Sequence, residues 1–284
     1  MADMGAVVIT GASTGIGEAC ALHLDKLGFR VFAGIRKAAD GESLRRRASE
    51  RLVPVRLDIS DEMEVGQASR NIMEALGGEG LAGLVNNAGI VVGSMLEFLP
   101  LDALRRQMEV NVVGQIAVTQ AFLPSLRKAR GRIVNIGSIS GLISSPFTGA
   151  YSASKFALEA LTDSLRMELR PWKIQVALIE PGFIQTPITK KSLASEEALR
   201  AELPAEALQL YGSYVPGVRA SIEREAAKAA PPEVVVKAVA HALTARRPRT
   251  RYVVGNHSSF QISLVRALPD RWRDALIARQ LGFK

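Results

Sequence analysis

With 284 residues, 48% of them hydrophobic and 23% charged, the chain can bury a sizeable core. No long polar tract, fixed-period repeat or low-complexity run divides it, so residues 1–284 are read as one domain, and its longest apolar stretches fall well short of a membrane span. The formal net charge is +8, but nine basic residues against two aspartates from Arg246 onward carry +7 of it, and the nearly balanced remainder excludes a basic groove for nucleic acid.

Met1 to Gly5 run straight into apolar Ala6, so no cleavable signal peptide is expected, and a single cysteine, Cys20, excludes an internal disulfide. A reducing, cytoplasmic setting is expected. Ala6-Val-Val-Ile-Thr10 has the run of a buried strand, Gly11-Ala-Ser-Thr-Gly15-Ile-Gly17 follows at once, and residues 18–27 repeat apolar side chains at helical spacing until Gly28. Strand, glycine turn and helix in that order cradle a dinucleotide pyrophosphate. Gly11 permits the turn, Gly15 and Gly17 let phosphate and strand approach the backbone, and the N–H groups about Ser13, Thr14 and Ile16 face the anion.

Residues 29–35 are expected as the second strand, whose last residue separates the two nicotinamide cofactors. A carboxylate there accepts from a ribose 2′-hydroxyl and repels a 2′-phosphate. Here stand Ile35, Arg36 and Lys37, and a guanidinium grips a phosphate in bidentate fashion, so NADP is favoured. NAD is the alternative, with Arg36 and Lys37 as solvated loop charges. A third strand over 51–58 ends in Asp58, able to accept from the adenine amino group, with Ile59 beside it. A helix over 61–76, weakened by Gly66, and a strand over 80–85 lead to Asn86-Asn-Ala-Gly89. Asn87, Ala88 and Gly89 either wall a ribose and pin neighbouring strands or are ordinary loop residues. Residues 101–128 have periodicity for one long helix or two. Within them Asn111 is either a buried polar group satisfied by backbone or part of a proton path, and the later motif spacing favours the second.

The stretch from Ser138 to Lys155 carries the chemistry. Residues 131–137 read as a strand, so Ser138 sits at a strand end, while Tyr151 and Lys155 rise one turn apart from one face of the next helix. A phenol with a pKa near ~10 is a poor acid–base catalyst at neutral pH, and the Lys155 charge is expected to lower it. Tyr151 can then exchange a proton with a carbonyl oxygen held by Ser138, which indicates reversible carbonyl reduction with no call for a metal.

A strand over 173–180 ends at Pro181-Gly182, and strand and helix alternate throughout, which argues for a parallel sheet with helices on both faces and ligands at its carboxyl edge. Residues 187–230 break that alternation. They are helical in composition, apolar and interrupted by Pro204 and Pro216, and form either a substrate lid or a structural insertion. A helix over 231–245, a last strand over 251–255 and helix over 262–281 with a break at Pro269 complete the chain. The basic extension, 256–284, either lies on an anionic membrane or, the plainer reading, packs on the body or on a partner subunit.

Together, Thr10-Gly-Ala-Ser-Thr-Gly-Ile-Gly17, Asn86-Asn-Ala-Gly89, Asn111, Ser138, Tyr151-x-x-x-Lys155 and Pro181-Gly182 resemble the short-chain dehydrogenase/reductase family, in the right order from Val7 to Thr186. The resemblance implies a Rossmann-type doubly wound α/β fold of seven parallel strands and a catalytic tetrad of Asn111, Ser138, Tyr151 and Lys155. It also implies that the lysine holds the nicotinamide ribose, that the asparagine keeps a water in the proton relay, and that the Ile184 backbone and Thr186 contact the nicotinamide amide. Thr14 departs from the basic residue that many NADP-preferring members carry there. The long lid and Arg251-Tyr-Val-Val-Gly255 look more like the retinol and hydroxysteroid dehydrogenase branch. An NADP-linked oxidoreductase is therefore expected, interconverting an apolar small-molecule alcohol with its ketone or aldehyde, as a homodimer or homotetramer built partly through the Tyr151 helix. The alternatives are a nucleotide-binding regulator without turnover and a 3-oxoacyl thioester reductase.

Overall fold

The computed structural model describes residues 3–187, 203–256 and 259–282. Seven strands, β1 (Ala6–Ile9), β2 (Arg30–Ile35), β3 (Leu52–Arg56), β4 (Leu81–Asn86), β5 (Arg132–Ile136), β6 (Gln175–Pro181) and β7 (Arg251–Val254), form one sheet in the order β3-β2-β1-β4-β5-β6-β7. Every pairing is parallel. The chain winds outward from β1 to β3, then returns to place β4 on the other side of β1. That reversal opens a crevice at the carboxyl ends of β1 and β4, the switch point where α/β sheets of this Rossmann type take ligands.

The strands are apolar because both sheet faces are covered. Val7, Ile9, Val31, Val134 and Ile179 point into a core shared with α1 (Gly15–Lys26), α2 (Ala38–Arg45) and α9 (Glu233–Thr244). Their neighbours Val8, Phe32, Ile133 and Val176 point the other way, toward α3 (Glu62–Ala75) and α5 (Gly114–Ala129). Alternate residues of one strand thus feed two cores. The remaining helices are α4 (Leu101–Met108), α6 (Gly149–Glu168), α7 (Ala205–Tyr211), α8 (Val215–Ala227), α10 (Ser259–Ala267) and α11 (Asp270–Leu281).

Local contacts set the boundaries, most of which fall where expected. Gly66 does not break α3, because Asp61 caps its start by accepting from the backbone N–H groups of Met63 and Glu64. Residues 101–129 form two helices joined by a single π turn, Glu109–Val113, that contains Asn111. α2 carries no apolar repeat to announce it; its Gly41 lies so close to β2 and β3 that a Cβ would stand 2.8 Å from Ile35 Cδ1 and 3.1 Å from Pro54 Cβ. The expected break at Pro269 separates α10 from α11. Of the expected lid, residues 188–202 lie outside the described residues.

Candidate active site

The glycine loop is tight because three chain segments meet in it. Gly11 and Gly15 take φ of +64° and +63°, and a Cβ on Gly11 would lie 2.8 Å from Ala88 Cα. A Cβ on Gly17 would fall 2.3 Å from Gly11 O and 2.4 Å from Asn87 Nδ2. The Asn87 amide donates to Thr10 O and Gly11 O, both at 3.0 Å, and the Thr10 hydroxyl accepts from the Asn87 and Ala88 N–H groups at 2.9 and 3.0 Å. Asn87 therefore holds the loop against β4 with its side chain. Asn86 points the other way and pins strands: it donates to Thr119 Oγ1 and Asn135 Oδ1, each at 2.9 Å. The strand-pinning part of the wall reading is thus built into the structure. The start of α1 carries no side-chain cap, so its N–H groups open toward the crevice with Ser13 and Ile16 half-buried and Thr14 exposed.

Ser138 follows β5 in extended backbone, and its Oγ accepts from Ser140 N at 3.1 Å. Its hydroxyl faces Tyr151 and favours the ionised form of that phenol. Lys155 donates from Nζ to Ile136 O at 2.8 Å and lies 5.8 Å from the centre of the Tyr151 ring. Hydroxyl, phenol and ammonium are thus gathered at one strand end. The expected lowering of the phenol is overturned: burial pushes Tyr151 above its ordinary range, with Ser138 pulling only partly the other way. The same desolvation pushes Lys155 down to about 8. A medium that weakens the ammonium also penalises the phenolate, and the two effects share one cause.

Asn111 is fully buried, and its side chain is spent: Oδ1 accepts from Ile90 N at 2.9 Å, and Nδ2 donates to Ile90 O at 3.0 Å and Ser154 Oγ at 3.1 Å. One turn earlier Gln107, also fully buried, accepts from Val92 N at 2.7 Å and donates to Ile90 O at 3.0 Å. Two amides thus clamp the loop that follows Gly89. Ser154 ties the clamp to α6 by donating to Tyr151 O at 2.7 Å. Sequence reasoning missed Gln107 and Ser154, although a polar residue four positions before Asn111 on a buried face was a signal.

The crevice fits a dinucleotide. Beyond the cradle, Ile184 bridges Ala230 through the flanking Gln185 N–H and Phe183 C=O, which leaves the N–H and C=O of Ile184 itself directed away from that pairing. Thr186 Oγ1 is buried without a hydrogen-bond partner among the described residues, beside Gly15, whose Cβ would stand 3.1 Å from Thr186 Cβ. Gly182 is anchored by its N–H to Val254 O at 2.8 Å. At the other end an open cleft of about 430 Å³ is lined by Arg36, Asp58, Ser60, Arg106 and Val110. Arg36 Nη1 lies 4.0 Å from Asp58 Oδ2. Partial burial pushes the Asp58 carboxyl up, but hydrogen bonds from Ser60 and the Arg36 and Arg106 guanidiniums outweigh it and hold the group below its ordinary range. Ile59 is buried beside it and Lys37 is exposed.

Against Phe147, just before α6, α7 brings in an aromatic cluster. The Tyr211 ring meets Phe98 and Phe147 edge-on at 6.0 and 6.4 Å, and its hydroxyl donates to Glu97 Oε2 at 2.6 Å. Phe147 holds φ of +65°, a strained conformation for a bulky residue four positions before Tyr151.

A seven-stranded parallel Rossmann sheet, a glycine cradle at its switch point, and Tyr151, Ser138 and Lys155 at its carboxyl edge define a nicotinamide-dependent oxidoreductase of the short-chain type. A short chain dehydrogenase family model matches residues 5–197, and the chain belongs to that family, in its retinol and hydroxysteroid dehydrogenase branch. It is 40% identical over 278 residues to retinol dehydrogenase 5 of Mus musculus, covering 95% of this chain and 87% of that one. It is 36% identical over 279 residues to the type 6 17-beta-hydroxysteroid dehydrogenase of Bos taurus, covering 96% and 87%. A short chain dehydrogenase from Burkholderia cenocepacia J2315, solved in complex with NADP, superposes with a TM-score of 0.70 at 26% identity over 99% of both chains.

Proposed function

We propose that this chain catalyses the NADP-linked interconversion of an apolar alcohol with its ketone or aldehyde. The observation that carries the proposal is the gathering of Tyr151, Ser138 and buried Lys155 at the end of β5, on the sheet edge that also bears the glycine cradle. Ser138 holds the carbonyl oxygen and Tyr151 donates the proton to it. A phenol pushed up by burial stays protonated at neutral pH, ready to act as an acid, and the Lys155 ammonium stabilises the phenolate left behind in a medium of low dielectric. NADP, when bound, supplies or accepts the hydride. Since the Asn111 side chain is fully engaged, its share in a proton path runs through a backbone carbonyl, which the π turn takes out of the regular helical ladder.

Gly11, Ser13, Thr14, Gly15, Ile16 and Gly17 hold the pyrophosphate; Asp58 and Ile59 flank the adenine; Asn87, Ala88 and Gly89 border the ribose. Lys155 reaches the nicotinamide ribose, and Pro181, Gly182, Ile184 and Thr186 receive the nicotinamide. Arg36 and Lys37 meet the 2′-phosphate, a reading supported by the NADP complex of the Burkholderia relative. The apolar substrate rests on the Phe98, Phe147 and Tyr211 cluster and on the names of the two relatives, retinol and 17-beta-hydroxysteroid dehydrogenases. The chain works as one domain with 187–230 as lid and 256–284 as extension, in the cytoplasm, as a homodimer or homotetramer that uses α6.

Steady-state kinetics with steroid, retinoid and aliphatic ketones, each with NADPH and NADH, test the reading. Turnover with at least one apolar ketone and a clear preference for NADPH are expected, and Arg36→Ser should narrow that preference. Tyr151→Phe should lower kcat by about 10²–10⁴-fold while cofactor binding persists. Full activity in that variant, or cofactor binding with no turnover across the panel, would sink the proposal.

A further inference from the structure

The net charge of the chain has an address in the fold that the order of the sequence hides. β5, β6 and β7 are parallel neighbours, so the connections that lead into them open together at the amino edge of the sheet, opposite the crevice. Residues 127–132, 168–173 and 245–250, each filling the passage from a helix to one of these strands, hold nine of the 36 lysines and arginines and one of the 28 acids, Glu168. Elsewhere 27 basic and 27 acidic residues cancel, so these three passages carry the whole +8. Contacts join them to one another. Arg132 donates to Ala242 O at 2.8 Å, at the end of α9, and the Arg127 guanidinium lies 4.7 Å over the Trp172 ring.

Three of the nine cations are engaged inside the patch: Arg127 on Trp172, Arg132 on Ala242 O, and Lys128 on Gly78 O. The other six, Arg130, Arg170, Lys173, Arg246, Arg247 and Arg249, are exposed, and no side chain among them has a hydrogen bond or ion pair to the described residues. Two of them are held under strain. Arg130 caps α5 with φ of +51° and Lys173 ends the turn 170–172 with φ of +58°, left-handed positions where glycine is the usual residue. Among the described residues the one other non-glycine residue so held is Phe147, just before the Tyr151 helix. Cations at helix carboxyl ends offset the dipole, but that effect does not require them at the strained positions and does not leave six of them unpaired on one edge.

Five of the six are arginines, whose planar fork takes a carboxylate in bidentate fashion, and Pro171 and Pro248 stiffen two of the three connections that present them. Neighbouring strands stand about 5 Å apart, so the strip from β5 to β7 is about 10 Å across, the length of about three residues of extended chain. We propose that this amino edge docks an acidic, extended segment of a partner protein, with Asp and Glu side chains of the partner spread over Arg130, Arg170, Lys173, Arg246, Arg247 and Arg249. A nucleic-acid duplex sets its phosphates on both sides of a groove about 12 Å wide, more than the strip spans. A second copy of this edge would set arginine against arginine. Since the patch lies at the opposite edge of the sheet from Tyr151, the enzyme can be held by its partner while the site stays open.

The test is fluorescence anisotropy of a labelled dodecaglutamate peptide titrated with the full chain. Binding is expected at low ionic strength and should weaken steeply as salt shortens the Debye length below about 10 Å. Arg246→Glu/Arg247→Glu should weaken it at least about tenfold, taking roughly threefold for each surface pair lost. Arg271→Glu/Arg279→Glu makes the same change in net charge on α11, which packs on α8 through Arg224 and Gln280 O, and should alter binding by less than about twofold. Arg130→Gly/Lys173→Gly separates docking from a structural role: it should raise the urea midpoint by relieving two left-handed residues and yet weaken peptide binding about threefold or more. All three pairs should keep wild-type turnover, and the anisotropy readout stands whether or not the oxidoreductase reading does. Four results would each overturn the proposal: no peptide binding at low salt; equal losses from the two charge-reversal pairs; a lowered midpoint with unchanged binding in the glycine pair; or tighter binding of a double-stranded oligonucleotide or of phosphatidylserine vesicles than of the peptide.

Discussion

Lys155 is a cation kept 4% exposed, with Nζ on one backbone carbonyl, and burial holds its pKa near 8 in the folded chain against about 10.5 for an ordinary lysine. Below about 8 both states carry the proton, and the fold bears the full cost of burying the charge. Between about 8 and 10.5 the folded chain sheds it while the unfolded chain keeps it, so the unfolded state binds more protons and stability rises with pH. The size of this term is on the order of 3 kcal/mol. Lys155→Met should therefore be more stable than wild type at neutral pH, with the gap narrowing as pH climbs through that window. Urea midpoints of both proteins from pH 7 to 10.5 measure it, and parallel curves would show that the ammonium is not desolvated. A destabilising charge held in place is what a working site retains. Gly17 is constrained by space alone: with Gly11 O 2.3 Å from the Cβ position, Gly17→Ala should part α1 from the Thr10 to Ala88 contacts and abolish cofactor binding in calorimetry.

Single contacts tie the α7 segment to the site. Its Tyr211 bonds Glu97, and hydrogen bonding to that carboxylate, ahead of burial, raises the phenol above its ordinary range. Tyr211→Phe keeps both edge-on ring contacts and deletes only the bond, so it should raise KM for apolar ketones several-fold with kcat nearly unchanged. A fall in kcat with KM unmoved would instead place Tyr211 in the chemical step. No sequence pattern could have announced this contact, because its partners stand 114 positions apart. Elements that run from strand through glycine to helix were legible since each signal lies within a few residues, as from Ala6 to Lys26. The π turn was not: its Asn111 is held by Ile90 and Ser154, 21 and 43 positions away. α2 escaped notice for a different reason, having a single buried side chain of size, Leu44, to mark its inner face. The tetrad positions could be read as types and spacing, whereas the sense of the Tyr151 shift depended on burial, which spacing does not encode.

Across the whole molecule, the last strand is coupled to the helix that carries Tyr151 by one guanidinium. Arg251 on β7 pairs with Glu159 and Asp163 of α6 and with Glu180 of β6, the last two at 2.8 and 3.1 Å. The side chains of Glu180 and Glu159 are 2% and 12% exposed, so neither carboxylate has water to fall back on. Removing the guanidinium strands them, and Arg251→Met should cost about 3–5 kcal/mol, the usual result of unpairing a buried charge. The penalty should depend on pH in a definite sense. Burial first, then the Asp163 charge, pushes Glu180 up to about 7 against the opposing pull of Arg266, so the folded chain binds a proton there that the unfolded chain, near 4.5, has released. Stability from that proton is fully present below about 4.5 and is lost as pH rises through 7. At about pH 5 the stranded group in Arg251→Met is neutral and tolerable; at about pH 8 it is charged and unpaired. Urea midpoints of Arg251→Met should thus fall further below wild type at the higher pH, and adding Glu180→Gln should recover most of the difference. A deficit equal at both pH values, or one that Glu180→Gln leaves untouched, would mean that Arg251 acts through Glu159 or Asp163 and that Glu180 is indifferent to it.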